Sequence, residues 1–196
     1  MQVYHFNSPL LSDSSHAWLD AVLNDFDTFL LDHAACEKKA SGMAISLISH
    51  YPDRIKLVEA MADLAIEELA HYKEVIKIIH SRSLILGADN KDHYVNGIRK
   101  HVRNGKMDYF LDRLVTAGII EARGAERFGL IANALPKGRI KNLYITIANS
   151  EQKHYSLFIN LASLYFERET VIQRADELLS IEAEILASLP ILPQLH

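Results

Sequence analysis

The chain has 196 residues, a formal net charge of −4 at pH 7 and 49% hydrophobic residues. This length and apolar content suffice for one compact domain with a sizeable core. The mildly negative charge excludes nucleic-acid binding as a property of the whole surface, so any such binding must be local. The single cysteine, Cys36, excludes an internal disulfide and a cysteine-ligated cluster, and we interpret it as a small core residue.

The start of the chain carries no targeting signal that we recognise. Residues 1–7 contain no basic region followed by an apolar run, and no apolar stretch in the sequence approaches membrane-spanning length. We therefore expect a cytoplasmic protein that does not enter a membrane.

Apolar residues recur at helical spacing along most of the chain, which predicts five long helices and no strands. In chain order the helices cover about residues 15–50, 52–84, 107–135, 138–167 and 170–189. Ser14 or Ser15 is the expected cap of the first helix, which a break at residues 24–27 could divide. Pro52 suits the first turn of the second helix, and Thr170 is the expected cap of the fifth.

The segment from residue 85 to residue 106 is too long for a tight turn. We predict a crossover that contains a short helix over about residues 93–103. The connections within the two hairpins are short. We therefore predict a hairpin over residues 15–84, the crossover, a hairpin over residues 107–167 and a C-terminal helix.

Two Glu-x-x-His quartets, Glu68/His71 and Glu151/His154, carry the strongest chemical signal. Residues three apart project from one helix face, so each pair can aim a carboxylate and an imidazole at one point. Chance alone supplies such a quartet roughly 0.7 times in a chain of this composition, so one example would mean little. Here each quartet is also preceded by a lone glutamate at nearly the same distance, Glu37 and Glu121.

Turn signals lie midway between the two glutamates of each set. Pro52 is midway between Glu37 and Glu68, and Pro136 is midway between Glu121 and Glu151. Hairpins folded at these points would bring each pair of glutamates to the same height on neighbouring helices.

All four glutamates fall in the apolar stripes of their helices. Burying them is costly unless they are paired or bind cations, although four incidental core acids are the alternative interpretation. A Glu from each of two helices with Glu-x-x-His from two others is the ligand set of ferritin-like carboxylate bundles. We therefore predict a dinuclear metal site and an all-α fold. The fold expected is a ferritin-like four-helix bundle with one long crossover and an additional C-terminal helix, forming a single domain over residues 1–196.

Two groups of basic residues could contact a polyanion, although small charge clusters are also typical of a solvated surface. The candidate contacts lie at the end of the crossover and at the start of the fourth helix: Arg99, Lys100, Arg103, Lys137, Arg139 and Lys141. Two further cations, Arg123 and Arg127, lie one turn apart on the third helix. We expect them either to meet the substrate or to pair with acids such as Asp63, Asp112 or Glu67.

The sequences around the four glutamates resemble the MiaE family of bacterial tRNA 2-methylthio-isopentenyladenosine hydroxylases. These are His-Ala-Ala-Cys-Glu-Lys-Lys-Ala, Glu-Glu-Leu-Ala-His-Tyr, Glu-Ala-Arg-Gly-Ala-Glu-Arg-Phe and Ser-Glu-Gln-Lys-His-Tyr. The third stretch discriminates best; Gly124 and Ala125 stand in it where the family often has Ser-Cys.

The resemblance implies a non-haem di-iron monooxygenase that hydroxylates the isopentenyl group of a hypermodified adenosine beside the tRNA anticodon. It implies that Glu37 and His71 bind one iron and that Glu121 and His154 bind the other. Glu68 and Glu151 would bridge the two ions. Dioxygen and an external electron donor of the ferredoxin or reductase type would be needed.

Other functions use the same ligand set. A ferritin-like iron oxidation and storage protein is one alternative, and a di-iron or di-manganese peroxidase or catalase is another. Carboxylate and imidazole ligands do not decide between iron and manganese. Homo-oligomerisation stays open.

Overall fold

The computed structural model describes residues 8–196, so the prediction drawn from residues 1–7 lies outside the described residues. The described chain forms seven helices and no strand: α1 His16–Asn24, α2 Phe26–His50, α3 Ile55–Ser81, α4 His93–Arg99, α5 Lys106–Ala134, α6 Arg139–Tyr165 and α7 Arg168–Ser188. Among these helices, none is both long and apolar enough to span a bilayer.

The described residues divide into two compact units. The first contains Asp20–Lys91 with Leu192–Leu195; the second contains the described residues up to Leu19, Asp92–Ile191 and His196. The extent of a single domain over residues 1–196 stays a prediction.

In the first unit, α2 and α3 form an antiparallel hairpin. Arg82, just after α3, forms an ion pair with Asp27 in the first turn of α2, so the two ends lie side by side. The Ser41 hydroxyl donates a hydrogen bond to the Ala65 carbonyl at 2.8 Å, which ties the helices midway along their length. The two helices bury a set of large apolar side chains: Phe29, Leu30, Leu47, Leu57, Met61 and Ile79.

In the second unit, α5 and α6 form the other antiparallel hairpin, and α7 packs against both. The ring of Phe110, near the start of α5, contacts the rings of Tyr165 and Phe166 at the end of α6. Gly105 precedes α5 with a φ of 110°, a backbone conformation that strains other residues, and so allows the chain to turn into the helix. The short α4 packs on α5 and α7.

Buried ion pairs connect α5 and α7. Arg123 is fully buried and donates from Nε to Glu182 at 2.9 Å and from Nη1 to Glu126 at 3.1 Å. The expectation of a structural ion pair is therefore confirmed for Arg123, but the predicted partners were wrong, because α7 supplies the nearest acid. Arg127 lies over the Trp18 ring at 4.4 Å and donates to the Ser14 hydroxyl.

The ends of several helices differ from the predictions. A break does divide the first helix, because Asp25 accepts a hydrogen bond from the Thr28 N–H and caps α2. Pro52 is not in a first turn; it lies in the connection, where the Arg54 N–H donates to the Tyr51 carbonyl. Thr170 lies inside α7, which begins at Arg168.

Polar contacts also explain where other helices begin and end. Ser15, rather than Ser14, caps α1 by accepting from the Trp18 N–H at 3.2 Å. The short helix of the crossover ends at Arg99 and not near residue 103. The Arg103 N–H is instead directed to the buried Asp112 carboxylate at 2.8 Å. The third long helix of the prediction is α5, which begins after Gly105 and ends before Leu135, close to the predicted bounds. Cys36 is half-buried rather than in the core.

Candidate metal centre

The first unit holds three of the predicted ligands together; we call Glu37, Glu68 and His71 the Glu37 cluster. Glu37 comes from α2, and Glu68 and His71 come from one turn of α3. The ligand atoms of all three lie within 4.8 Å of one another. His71 Nδ1 is 3.7 Å from Glu37 Oε2 and 3.6 Å from Glu68 Oε2. All three residues are buried, as the apolar stripes predicted.

The electrostatics of the Glu37 cluster favour a cation. Burial raises the pKa of the Glu37 carboxyl above its usual value, although the hydrogen bond with His33 and the nearby His71 imidazole oppose this change. Burial on its own would lower the pKa of His71, but the adjacent Glu37 and Glu68 carboxylates outweigh it and raise the pKa to about 10. Two carboxylates therefore hold a positive charge between them, and a metal ion can supply that charge in place of a proton.

His33 also contacts the Glu37 cluster, although the Glu-x-x-His pattern does not include it. Its side chain is fully buried, and its Nε2 lies 2.6 Å from Glu37 Oε1. The only signal in the sequence is its position one helical turn before Glu37, a spacing that places both side chains on one face.

The second unit holds the other three predicted ligands; we call Glu121, Glu151 and His154 the Glu121 cluster. Glu121 comes from α5, and Glu151 and His154 come from α6. His154 Nδ1 is 3.5 Å from Glu121 Oε2 and 3.2 Å from Glu151 Oε2. The three ligand atoms again lie within 4.8 Å of one another, and all three residues are buried.

The distances in both clusters fit a divalent metal. Two ligand atoms that each lie about 2.1 Å from one cation are at most about 4 Å apart. The four imidazole–carboxylate separations, 3.7, 3.6, 3.5 and 3.2 Å, all meet that limit. Oxygen and imidazole donors suit iron, manganese and zinc alike. The residues present are therefore able to hold metal ions, and the chemistry of the donor set leaves the identity of the metal open.

The basic candidates occupy different environments in the second unit. Arg99, Lys100, Lys137 and Arg139 are exposed. Arg103 is bound to Asp112 through Nη2 at 2.7 Å and to Asp108 at 3.2 Å. Lys141 Nζ donates to the main-chain carbonyls of Leu135 and Asn133, at the C-terminal end of α5. Arg103 and Lys141 thus make structural contacts.

The same contacts show that the two basic groups lie at opposite ends of α5. Arg103 is anchored at Asp112 and Lys141 at Asn133. These two positions are about 30 Å apart along the helix, at 1.5 Å per residue. The basic residues therefore form two separate clusters and not one continuous surface.

Comparison with known proteins identifies the family. A family model described as "tRNA-(MS[2]IO[6]A)-hydroxylase (MiaE)" matches residues 2–196. The chain belongs to the MiaE family. A curated protein of Pseudomonas putida named "tRNA 2-(methylsulfanyl)-N(6)-isopentenyladenosine(37) hydroxylase" is 33% identical over 172 residues, which cover 88% of this chain and 83% of that protein.

A second MiaE relative carries the same name in Salmonella typhimurium. It is 28% identical over 133 residues, 68% of this chain but only 48% of that protein. Membership of the MiaE family confirms the predicted resemblance and the predicted class of enzyme, a hydroxylase.

A solved structure also resembles the chain. "Protein 43 with aldehyde deformylating oxygenase activity from Synechococcus" superposes with a TM-score of 0.90 and 30% sequence identity, covering 95% of this chain and 94% of that one. This similarity, together with the helices of the described residues, confirms the predicted all-α, ferritin-like fold class.

Proposed function

We propose that this protein hydroxylates the isopentenyl group of a hypermodified adenosine beside the anticodon of tRNA. The main support is membership of the MiaE family over residues 2–196. The two buried Glu-x-x-His clusters add chemical support, because each places two carboxylates and an imidazole within reach of one cation.

We infer that the Glu37 cluster and the Glu121 cluster bind two iron ions. Glu37 and His71 would hold one ion, and Glu121 and His154 the other. The bridging roles of Glu68 and Glu151 stay a prediction of the family resemblance. When bound, such ions activate dioxygen for attack on an unactivated carbon, which no amino-acid side chain can do alone.

The residues of the chain supply the surroundings for this reaction. Phe128 and Phe158 are buried apolar side chains on α5 and α6. We propose that these and similar side chains exclude water from around the Glu121 cluster. Gly124 has no side chain and so leaves space on α5 beside Glu151. A Cβ added there would lie 3.9 Å from Glu151 Cγ and 3.7 Å from the Phe128 ring. We propose that this part of α5 lines an apolar slot for the isopentenyl group.

The reaction needs partners beyond the metal. Conversion of a C–H bond and dioxygen to an alcohol and water consumes two electrons and two protons. We propose that the electrons come from a separate donor of the ferredoxin or reductase type. A tRNA substrate supports a cytoplasmic location.

We propose that the exposed basic pairs bind tRNA phosphates. Arg99 is the last residue of α4 and Lys100 follows it, while Lys137 precedes α6 and Arg139 begins it. Two groups of phosphate contacts separated along α5 would suit an extended polyanion better than a small anion. Arg103 and Lys141 are not proposed to bind phosphates; their structural contacts hold the neighbouring exposed pairs in position.

The decisive experiment supplies prenylated tRNA, a chemical reductant and isotopically labelled dioxygen to the purified protein. We expect one labelled hydroxyl oxygen on the prenylated nucleoside, measured by mass spectrometry after digestion. The same tRNA without the prenyl group should gain none. Glu151→Ala should abolish the gain, whereas Gln152→Ala, its matched neighbour, should retain it.

Rival functions give different results in the same assay. A storage protein would accumulate ferric iron far beyond two ions per chain, and a catalase would consume peroxide without RNA. The Synechococcus protein is named for aldehyde deformylation, so an aldehyde belongs among the test substrates. Iron accumulation, peroxide consumption or aldehyde turnover with no change in the prenylated tRNA would disprove the proposed function.

A further inference from the structure

The two lone glutamates have different neighbours one helical turn earlier. Four residues before Glu37 stands His33, and four residues before Glu121 stands Ala117. Both preceding side chains are buried, but only the imidazole can form a hydrogen bond with the carboxylate that follows it. The Glu37 cluster therefore has a polar support that Ala117 cannot give to Glu121.

The two oxygens of Glu37 face two different imidazoles. Oε1 lies 2.6 Å from His33 Nε2, and Oε2 lies 3.7 Å from His71 Nδ1. The first distance is that of a strong hydrogen bond, and the second leaves room for a cation between the atoms. The carboxylate is thus held by one oxygen and presented by the other.

The position of His33 is itself well fixed. Its side chain is fully buried in α2, and its ring lies 5.8 Å from the Phe29 ring. A glutamate side chain has three rotatable bonds, and holding it in one rotamer costs entropy that metal binding would otherwise have to supply. A buried partner on the same helix removes this cost before the ion arrives.

We propose that His33 is a positioning residue that holds Glu37 Oε1 and so directs Oε2 to the metal bound by the Glu37 cluster. The inference rests on the proposed metal function and extends it to a residue outside the ligand set. It has a direct consequence: loss of His33 weakens only the ion of the Glu37 cluster.

The test is a Co(II) titration of the metal-depleted, full-length protein, followed by the visible absorption of the bound ion. His33→Leu removes the hydrogen bond, and we expect the dissociation constant of one of two Co(II) ions to rise about 10- to 100-fold, the usual effect of losing a residue that supports a ligand. The other ion should bind within about twofold of wild type. Glu37→Ala should abolish the same binding event that His33→Leu weakens.

A pair of polar variants separates hydrogen bonding from packing. The side-chain amide nitrogen of His33→Gln occupies nearly the place of Nε2, whereas the shorter side chain of His33→Asn does not reach Glu37. We expect His33→Gln to recover most of the lost affinity and the wild-type absorption spectrum, and His33→Asn to recover neither. This pair decides the question even if His33→Leu fails to fold.

Each contrary outcome has a distinct meaning. If wild-type protein binds two ions and His33→Asn gives the wild-type isotherm, His33 is not a positioning residue. Equal losses in His33→Gln and His33→Asn, or equal weakening of both ions, would also refute the inference. If the folded wild-type protein binds no Co(II) at all, the proposed metal function fails together with the inference.

Discussion

Arg174 donates two hydrogen bonds to Asp112, from Nε to Oδ1 at 2.9 Å and from Nη2 to Oδ2 at 2.8 Å. Arg103 donates to the same carboxylate from Nη2 at 2.7 Å. The buried Asp112 on α5 therefore joins the crossover to α7. This contact is a structural feature of the second unit and contains none of the proposed ligands.

Asp112→Asn should destabilise the protein by about 3–5 kcal/mol, because it removes the buried counter-charge of the Arg174 guanidinium. The free energy of unfolding in urea, with metal present, measures the effect. Glu177→Gln is the matched control, since Glu177 also pairs with Arg174 at 2.9 Å but is half exposed. The control should cost less than about 1 kcal/mol. Equal effects of the two substitutions would contradict the structural role of Asp112.

The contribution of Asp112 should also depend on pH. Burial would raise its pKa, but hydrogen bonds from Arg103 and Arg174 outweigh it and hold the pKa below the ordinary value of 3.8. The unfolded state therefore takes up this proton first, and the stabilisation is complete above the ordinary pKa and lost as pH falls through the lower folded value. The stability difference between wild type and Asp112→Asn should stay constant above about pH 5 and shrink below about pH 4. A difference that persists unchanged to lower pH would count against this assignment.

Removal of metal should lower the melting temperature. Each cluster collects buried carboxylates, and a cation that binds only the folded state stabilises it by about 2.7 kcal/mol at 100 times its dissociation constant. Chelator should therefore shift wild type clearly and shift Glu68→Ala and Glu151→Ala much less. Both variants should bind fewer than two metal ions per chain, as measured by elemental analysis. Glu67→Ala, the exposed neighbour of Glu68, should behave as wild type; full metal content in the Glu68 and Glu151 variants would remove them from the site.

Binding of tRNA should weaken steeply with salt, because phosphate contacts release counterions. Arg99→Ala combined with Lys100→Ala should reduce the slope of log affinity against log salt by about 1–2. Lys137→Ala with Arg139→Ala should act similarly at the other end of α5. Lys56→Ala with Lys77→Ala is the control, because these exposed lysines already pair with Glu59 and Glu74. If both basic double variants kept the same slope as the lysine control, the basic pairs would be ordinary solvated surface residues and not tRNA contacts.

Two glycines of α5 should respond in opposite directions to alanine. At Gly118 a Cβ would lie 3.2 Å from Phe158 Cβ, in a packed helix contact that cannot easily move. At Gly124 the nearest atoms lie at 3.7 and 3.9 Å, which is ordinary contact. Gly118→Ala should therefore destabilise the protein by about 1–3 kcal/mol, and Gly124→Ala should stabilise it by up to about 1 kcal/mol. Thermal unfolding of the metal-bound proteins measures both, and a reversed order would show that α5 and α6 pack differently.

The sequence predicted the features that depend on local spacing. The Glu-x-x-His pairs and their lone glutamates follow from helical periodicity, and the structure buries each of them. Helix ends were less predictable, because Pro52 and Thr170 satisfy local rules at several neighbouring positions. The break in the first helix was predictable, because Asp25 lies within the expected break at residues 24–27 and its side chain caps α2.

Long-range partners could not be predicted from spacing. The contact of Arg123 with Glu182 joins residues that are 59 positions apart, and nothing in the local pattern selects that acid from the others. His33 was missed for another reason. A single histidine one turn before a glutamate is a common pattern, and only its complete burial and its 2.6 Å contact distinguish it.

The burial of Arg123 makes this residue a natural probe of motion in the second unit. Its guanidinium is held by Glu182, Glu126 and the Ser12 carbonyl, and no part of it is exposed to water. Its Nε–H donates to Glu182 on α7, so exchange of this proton with solvent requires that contact to open, and the exchange rate reports the free energy of the opening. A single side-chain signal in an NMR spectrum would thus show how often this contact opens, with no substitution added.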